Sequence, residues 1–222
     1  MRNSIDYQLV ADRVGDIQTK ISSKSTNRIT IVAVTKGFSV EAIRAVNKAG
    51  IYDIGESYAQ EMLAKQSLLD GAEVEGSQRW HFVGNLQRNK VKKLFHNVFM
   101  WQSVDSMALG EEIAKRCETP KLLVQVNMTG SLNQGGAPPS EAPALVERLQ
   151  ELEIDVAGLM TIGDHADREA TLGHFLKLKK MSKMLNLPEC SMGMSNDYDL
   201  ALEAGATILR LGTAIFGNRD DD

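Results

Sequence analysis

The sequence predicts an α/β fold: a closed (β/α)8 barrel with one extra helix at its amino end, formed by a single domain of residues 1–219. Segments typical of strands and helices alternate eight times after that first helix. The strand segments are continuous apolar runs, which indicate a parallel sheet covered by amphipathic helices. Eight units favour a closed barrel over the alternative, an open doubly wound sheet, although 222 residues lie near the lower size limit of such a barrel.

The first half of the chain contributes the extra helix and four strand–helix units. Residues 5–21 carry apolar side chains at helical spacing. Ser39 is expected to cap a helix that ends at Gly50, and a basic helix is expected over residues 87–95. Strands stopped by glycine or polar residues are predicted over residues 29–34, 51–54, 79–83 and 98–104, and further helices are predicted to end at Leu69 and Cys117.

The second half contributes the other four units and one long loop. The loop, residues 129–139, contains two glycine-rich turns and two prolines, and it is the stretch expected to be mobile. Strands are predicted over residues 122–126, 154–160, around Cys190 and over 206–211, and helices over 140–152, over 166–185 and up to Ala204.

Composition and charge place the chain among soluble globular proteins. Its 43% hydrophobic and 24% charged residues are ordinary, and a net charge of −4 gives no reason to expect a nucleic acid or an anionic membrane as partner. Cys117 and Cys190 lack metal-binding spacing and are expected to be reduced. We expect a cytoplasmic monomer with no signal peptide, no nucleic-acid partner and no membrane partner, and a disordered acidic tail over residues 220–222.

Two short turns near the carboxyl end carry glycine and hydroxyl residues beside apolar runs. The first, Ser191–Ser195, opens a helix whose expected N-cap is Ser195 or Asn196. The second, Gly212–Thr213, ends the last predicted strand. Free N–H groups at such turns bind anions, and the loops after strands seven and eight are the usual phosphate site of a (β/α)8 barrel. The pair predicts a phosphate cradle; a capped helix and an ordinary tight turn are the alternative.

Polar residues follow the predicted strands at the end where barrel enzymes place their active sites. Lys36 comes directly after the first strand. Partial burial would lower its pKa below the free value of about 10.4, so that the neutral amine can attack a carbonyl and form a Schiff base. The alternatives are a lysine that reaches solvent or one that binds phosphate as a point charge. The predicted mouth residues are Lys36, Glu56, Asn85, Asp105, Asn127, Thr161, Ser191, Ser195, Arg210 and Thr213.

Other residues of the strands and helices allow more than one interpretation. Arg210, inside the last strand, either pairs with a carboxylate or faces a ligand. We interpret His81, inside the third strand, as a hydrogen-bonded core residue rather than a catalytic base. Met160 and Met192 are most simply core residues, but both could line a pocket. The basic run over residues 88–93 is interpreted as a solvated helix face rather than a nucleic-acid site.

Six segments between Ile29 and Gly217 resemble the pyridoxal-phosphate homeostasis proteins, which are similar to the N-terminal barrel of alanine racemase. The segments follow the family's order and cover nearly the whole chain. The tryptophan-containing segment and the last two are highly specific together. The segments are Val32–Lys36, Ile54–Glu61, Trp80–Lys90, Gly158–Ile162, Ser191–Asp197 and Arg210–Gly217.

The resemblance implies a barrel that holds pyridoxal 5′-phosphate (PLP). Lys36 matches the lysine that forms the Schiff base, and Arg210 matches the arginine beside the pyridine nitrogen. Ser195 and the backbone of Gly212 and Thr213 match the phosphate cradle. The predicted cofactor-binding residues are Lys36, Asn85, Met160, Ser191, Ser195, Arg210, Gly212 and Thr213.

The chain departs from the family pattern at two places. Ser57 stands where asparagine is usual after the glycine–glutamate pair, which affects a contact behind the site. Gln134 stands before Gly135 where lysine is usual, which affects the entrance loop. Neither departure touches Lys36 or the cradle.

The resemblance implies a protein that holds PLP as a lysine aldimine in intracellular vitamin B6 homeostasis, with apo PLP-dependent enzymes as partners. The alternatives are a PLP-dependent amino-acid racemase and a phosphate-binding barrel enzyme without PLP. Racemisation needs acid–base groups on both faces of the substrate carbon. No tyrosine is expected to place its hydroxyl opposite Lys36; the four are Tyr7, Tyr52, Tyr58 and Tyr198.

Overall fold

The computed structural model describes residues 5–69, 78–164 and 166–218. Its strands are β1 Thr30–Val34, β2 Asp53–Glu56, β3 Arg79–Phe82, β4 Met100–Val104, β5 Lys121–Gln125, β6 Asp155–Met160, β7 Glu189–Ser191 and β8 Ile208–Leu211. All pair in parallel and in chain order, and β8 closes the barrel on β1 with Val32 opposite Arg210. The (β/α)8 prediction is confirmed, and the open sheet is wrong. The predicted tail over residues 220–222 lies outside the described residues.

Helices lie between successive strands, and one helix precedes them. They are α1 Tyr7–Lys24, α2 Val40–Lys48, α3 Ala59–Leu69, α4 Arg88–Leu94, α5 Met107–Ala114, α6 Ala142–Gln150, α7 Arg168–Met184, α8 Tyr198–Glu203 and α9 Thr213–Phe216. The extra amino-terminal helix, α1, begins at the N-cap Asp6 and packs against α2 and α9. The short helix α9 was not predicted, because its residues were interpreted as a turn.

The apolar core forms two clusters separated by the barrel wall. The outer cluster fills the space between strands and helices. The inner cluster fills the barrel itself and consists of Val32, Met100, Leu123, Ala157, Met160 and Ile208. Neighbouring side chains on a strand can face different clusters, because successive residues of a strand point to opposite sides of the sheet. In β8, for example, Ile208 lies in the inner cluster and Leu209 in the outer one.

Two predicted helix caps need correction. The N-cap of α8 is Asp197 and not Ser195 or Asn196. Asp197 Oδ1 accepts a hydrogen bond from the N–H of Met194, which stabilises the turn before the helix. Ser39 is the N-cap of α2 as predicted, but its side chain makes no capping hydrogen bond.

The cysteines agree with the prediction of reduced thiols. Cys117 and Cys190 are both free, and burial raises the pKa of each thiol, which keeps it protonated. Across the three described ranges, no three histidine, cysteine or acidic side chains group in a way that could hold a metal ion. In the same ranges, every helix is too short or too polar to span a bilayer.

Candidate functional site

The carboxyl ends of the strands surround a mouth with two adjoining cavities. The smaller one, which we term the cradle cavity, has a volume of about 230 Å³ and lies at the ends of β1 and β8. The larger one, which we term the outer cavity, has a volume of about 800 Å³ and extends to the loop of residues 129–139. Lys36 lines both cavities. The backbone of Gly212 lines the cradle cavity as well, and its other polar residues are Ser57, Ser195, Asn196, Arg210 and Thr213.

Lys36 reaches the mouth because of the alternation of side chains along β1. Val32 packs in the inner cluster, and Val34, two residues later, lines the cradle cavity. Lys36 continues this inward series just beyond the strand end, where it is half-buried. The structure therefore places the lysine where the sequence predicted it.

A buried ionic cluster that the sequence analysis missed lies directly behind the end of β1. Lys65 Nζ, on α3, donates to the Thr35 carbonyl oxygen at 2.6 Å and to Glu56 Oε1 at 2.5 Å. The Thr35 hydroxyl donates to the same Glu56 oxygen at 2.6 Å. Within the described part of the chain, Glu56 Oε2 is buried without a hydrogen-bond partner. Burial raises the pKa of Glu56, and the charge of Lys65 opposes that rise.

The ionic cluster holds the backbone on both sides of Lys36. Glu61 Oε1 accepts from the N–H of Gly37 at 2.6 Å and from Lys65 Nζ at 3.2 Å. Thr35 precedes Lys36 and Gly37 follows it, so the lysine is carried by an anchored segment. The available sequence signal was the four-residue spacing of Glu61 and Lys65, which predicts an ion pair on a helix but neither its burial nor its partners in other strands.

The two predicted cradle turns are joined by a serine hydroxyl. Ser195 Oγ accepts from the N–H of Ala214 at 2.9 Å and from the N–H of Gly212 at 3.3 Å. Since the oxygen accepts in both bonds, its own hydrogen can be donated to a group in the cradle cavity. Ser195, Gly212 and Thr213 all line that cavity. The structure thus brings the predicted cradle residues together.

Gly193 gives the first of these turns its shape. Its φ of +93° lies in the left-handed region that side chains disfavour. A Cβ atom at this position would also lie 2.5 Å from the Cβ of Ala201 on α8. The turn can therefore pack against α8 and present Ser195 to β8 only with glycine at position 193.

Arg210 lies beneath the cradle with its guanidinium at the cavity wall. Its Nη1 donates to Ser191 Oγ at 2.6 Å and its Nη2 to the Thr161 carbonyl oxygen at 2.8 Å. Neither acceptor is a carboxylate, and Arg210 lines the cradle cavity. The sequence left open whether Arg210 pairs with a carboxylate or faces a ligand. Its contacts agree with the second alternative, because it lines a cavity and neither of its acceptors is a carboxylate. Burial lowers the pKa of Arg210 to about 10, with the charge of Asp197 opposing, so the guanidinium stays charged at neutral pH.

Ser191 and His81 belong to one buried chain of hydrogen bonds inside the barrel. Ser191 Oγ donates to Gln102 Oε1 at 2.7 Å, and Gln102 Nε2 lies 2.8 Å from His81 Nδ1. His81 Nε2 lies 2.9 Å from Asp53 Oδ1. The interpretation of His81 as a hydrogen-bonded core residue is confirmed. The sequence analysis did not identify Gln102 as part of this chain, because no sequence pattern shows which side chains of β3, β4 and β7 contact one another.

Three predicted site residues lie away from the cradle cavity. Asn85 is exposed and lines the outer cavity. Met160 is fully buried in the inner cluster and lines neither cavity. Ser191 is fully buried behind Arg210. A different methionine, Met194, lines the cradle cavity.

The outer cavity contains the two unexpected features of the mouth. Tyr58 lines it together with Lys36, and its side chain is 63% exposed. Gln134, which stands where the resemblance led us to expect lysine, donates to the Ile162 carbonyl oxygen at 3.0 Å and accepts from the Thr129 hydroxyl at 2.5 Å. The entrance loop is thus held against the segment after β6 by a hydrogen bond from a neutral amide side chain and not from a charged one.

The protein is thus a closed (β/α)8 barrel with a lysine after its first strand and two joined turns after its last two strands, all lining one cavity. The family profile described as alanine racemase, N-terminal domain, matches residues 5–220. The pyridoxal phosphate homeostasis protein of Aquifex aeolicus is 36% identical over 210 residues, which cover 89% of this chain and 90% of that protein. The chain belongs to the pyridoxal phosphate homeostasis protein family.

Solved structures agree with this assignment. PipY of Synechococcus elongatus, solved with PLP bound, has a TM-score of 0.83 and 31% identity, and the match covers 94% of this chain and 100% of that one. Alanine racemase of Corynebacterium glutamicum has a TM-score of 0.71 at 14% identity, covering 98% of this chain and 63% of that one. The latter likeness concerns the fold alone.

Proposed function

We propose that this protein binds PLP as a Schiff base on Lys36 and acts in intracellular PLP homeostasis by holding and releasing the cofactor. The observation that carries the proposal is that Lys36, the Ser195 cradle and Arg210 line one cavity of about 230 Å³. The names of the relatives, and the PLP in PipY, support the same cofactor. In the proposal, the chain works as a cytoplasmic monomer whose partners are apo PLP-dependent enzymes.

The residues present fit the chemical groups of PLP. A phosphate dianion takes neutral donors well, and the cradle offers the Ser195 hydroxyl beside the backbone of Gly212 and Thr213. The aldehyde requires a primary amine, which Lys36 provides. A guanidinium next to the pyridine nitrogen disfavours ring protonation, because the two positive charges would repel each other. Arg210 lines the cradle cavity, and in the proposal it makes that contact. PLP itself supplies a reactive aldehyde and an electron-withdrawing ring.

Absorbance spectroscopy tests this function directly. Addition of PLP to the purified protein should produce the visible band of a Schiff base, and pyridoxal, which lacks the phosphate, should bind far more weakly. The loaded protein should also restore the activity of an apo PLP-dependent enzyme. Equal affinities for PLP and pyridoxal would refute the cradle, and a protein that stays colourless with PLP would refute the function.

Replacing Ser195 with alanine is expected to weaken PLP binding about tenfold to a hundredfold. The change removes one hydrogen bond to a charged group, which is worth roughly 1.5–3 kcal/mol. Titration of PLP absorbance measures the effect. Pyridoxal binding should change little, since pyridoxal carries no phosphate. Ser22→Ala, at an exposed position of α1, is the matched control and should bind PLP like the wild type. A variant that weakens PLP and pyridoxal equally would contradict the assignment.

The second candidate function is amino-acid racemisation, which the likeness to the alanine racemase fold makes worth testing. We expect no efficient turnover, because racemisation needs a second acid–base group opposite Lys36. Tyr58 is the described tyrosine that shares a cavity with Lys36, but its high exposure leaves it without the fixed position that proton transfer requires. Chiral chromatography of alanine incubated with the loaded protein measures the activity. Multiple turnovers that are lost in both Lys36→Ala and Tyr58→Phe would establish the racemase instead.

A further inference from the structure

The buried chain of hydrogen bonds inside the barrel ends on a residue of the cradle cavity. We propose that Asp53, His81 and Gln102 form a positioning relay that fixes the guanidinium of Arg210 through Ser191. The inference rests on the proposed function, because Arg210 acts there on the pyridine ring of PLP. None of the three relay residues lines the cradle cavity itself. Their effect on the cofactor would therefore pass through Arg210.

The relay crosses the interior of the barrel from its amino end towards its mouth. Asp53 Oδ1 lies 2.9 Å from His81 Nε2, and His81 Nδ1 lies 2.8 Å from Gln102 Nε2. Gln102 Oε1 accepts from Ser191 Oγ at 2.7 Å, and Ser191 Oγ accepts from Arg210 Nη1 at 2.6 Å. The four strands β2, β3, β4 and β7 thus connect to β8 by side chains alone.

The direction of each hydrogen bond in the relay depends on the hydrogen bond before it. The pKa of Asp53 is lowered although burial acts to raise it, because His81 and Arg79 hydrogen-bond to the carboxylate. An ionised carboxylate can only accept, so His81 Nε2 donates to Asp53, and the amide nitrogen of Gln102 faces His81 Nδ1, which accepts from it. Gln102 must then turn its NH₂ group to His81, which leaves its carbonyl oxygen for Ser191.

At the end of the relay, between Ser191 and Arg210, the direction of the hydrogen bonds is likewise fixed. Once the Ser191 hydroxyl donates to Gln102, its remaining lone pairs can only accept, and Arg210 Nη1 occupies one of them. Arg210 Nη2 donates to the Thr161 carbonyl oxygen. Two hydrogen bonds from different nitrogens fix the plane of the planar guanidinium. The N–H groups of Arg210 that these bonds do not use therefore keep a fixed orientation relative to the cavity.

Burial makes the relay rigid. His81, Gln102, Ser191 and Arg210 are each at most 5% exposed, so water cannot readily replace a lost partner. A buried polar group without a partner is costly, and each member therefore holds the next in a single orientation. Removal of Gln102 would leave Ser191 free to rotate and Arg210 with a less definite acceptor.

The test uses ¹⁵N-labelled PLP bound to variants of the full chain. In the wild type, the ¹⁵N resonance should report an unprotonated pyridine ring, because the guanidinium lies beside it. In Gln102→Leu the resonance should shift towards that of the protonated ring, in the same direction as in Arg210→Met, and PLP should bind about threefold to tenfold more weakly. In the Arg210→Met background, Gln102→Leu should cause no further shift, since the relay acts through that residue.

Further variants separate positioning from general structure. Ser182→Ala removes another fully buried hydrogen bond, to the Leu187 carbonyl oxygen outside the barrel interior, and should leave the ¹⁵N resonance unchanged. If Gln102→Leu does not fold, Ser191→Ala provides the same test one step closer to Arg210. An unchanged resonance in Gln102→Leu, or an equal shift in the Arg210→Met background, would overturn the relay. A wild-type protein without the visible PLP band would instead contradict the proposed function.

Discussion

Replacement of Lys36 with alanine is expected to abolish the visible absorbance band of the PLP-loaded protein down to the background given by exposed lysines. Lys36 is the amine that lines both the cradle and the outer cavity, so no Schiff base can form in the cradle without it. Spectra recorded at saturating PLP, before and after gel filtration, measure the loss. Circular dichroism checks that the variant keeps its fold, since the side chain lies half-buried at the mouth rather than in the core.

Lys177→Ala is the matched control for this experiment. Lys177 is exposed on α7, on the outside of the barrel, and its loss should leave the spectrum unchanged. Free PLP can react with any exposed lysine, so the control defines the non-specific background. A Lys36→Ala protein that keeps the wild-type band would show that another amine carries the cofactor.

Replacement of Lys65 with methionine is expected to lower the free energy of unfolding by about 3–5 kcal/mol. The change leaves the Glu56 carboxylate buried without its ion pair, and the Thr35 carbonyl oxygen loses its donor. Urea unfolding of the PLP-free protein, followed by circular dichroism, measures the effect. PLP binding should weaken as well, because Lys65 anchors the segment that carries Lys36.

The pH dependence of the Lys65→Met defect provides a second readout. Burial acts to raise the pKa of Glu56, and without Lys65 its largest opposing influence is gone. A carboxyl group with a raised pKa in the folded state favours folding below its unfolded pKa of about 4.3, and that contribution disappears as pH rises through the folded value. The loss of stability should therefore be smallest under mildly acidic conditions and largest near neutrality.

A compensating variant distinguishes the buried charge from lost packing. Glu56→Gln in the Lys65→Met background removes the unpaired charge and should recover part of the stability at neutral pH. No recovery, or a defect that does not depend on pH, would contradict the interpretation of the cluster as an ion pair that neutralises Glu56.

Much of the barrel could be predicted because its signals are local. Continuous apolar strands and amphipathic helices follow periods of two and 3.6 residues, which neighbouring positions alone reveal. Polar residues at strand ends then gave Lys36, Ser195 and Arg210 as mouth residues, since the ends of parallel strands meet at one face. Some boundaries differ from the prediction. The second strand was predicted from residue 51 but begins at Asp53, and α8 begins after the N-cap Asp197 rather than after Ser195 or Asn196.

The interior polar contacts could not be predicted, because they depend on distances between strands. Ser191 and Gln102 are hydrogen-bonded across 89 residues of sequence, and Thr35 and Lys65 across 30. No periodicity links such pairs, and each residue alone is compatible with a surface position. Met160 shows that a strand end alone does not define a pocket residue: it is a core residue of the inner cluster, the simpler of its two interpretations.

The central claim is that Lys36 itself holds PLP above the Ser195 cradle. Borohydride reduction of the loaded wild-type protein, followed by proteolysis and mass spectrometry of the peptides, tests it most directly. We expect one phosphopyridoxyl group per chain, attached to Lys36, and no labelling when inorganic phosphate outcompetes PLP for the cradle. A label on any other lysine under saturating conditions, with Lys36 unmodified, would show that Lys36 does not hold PLP.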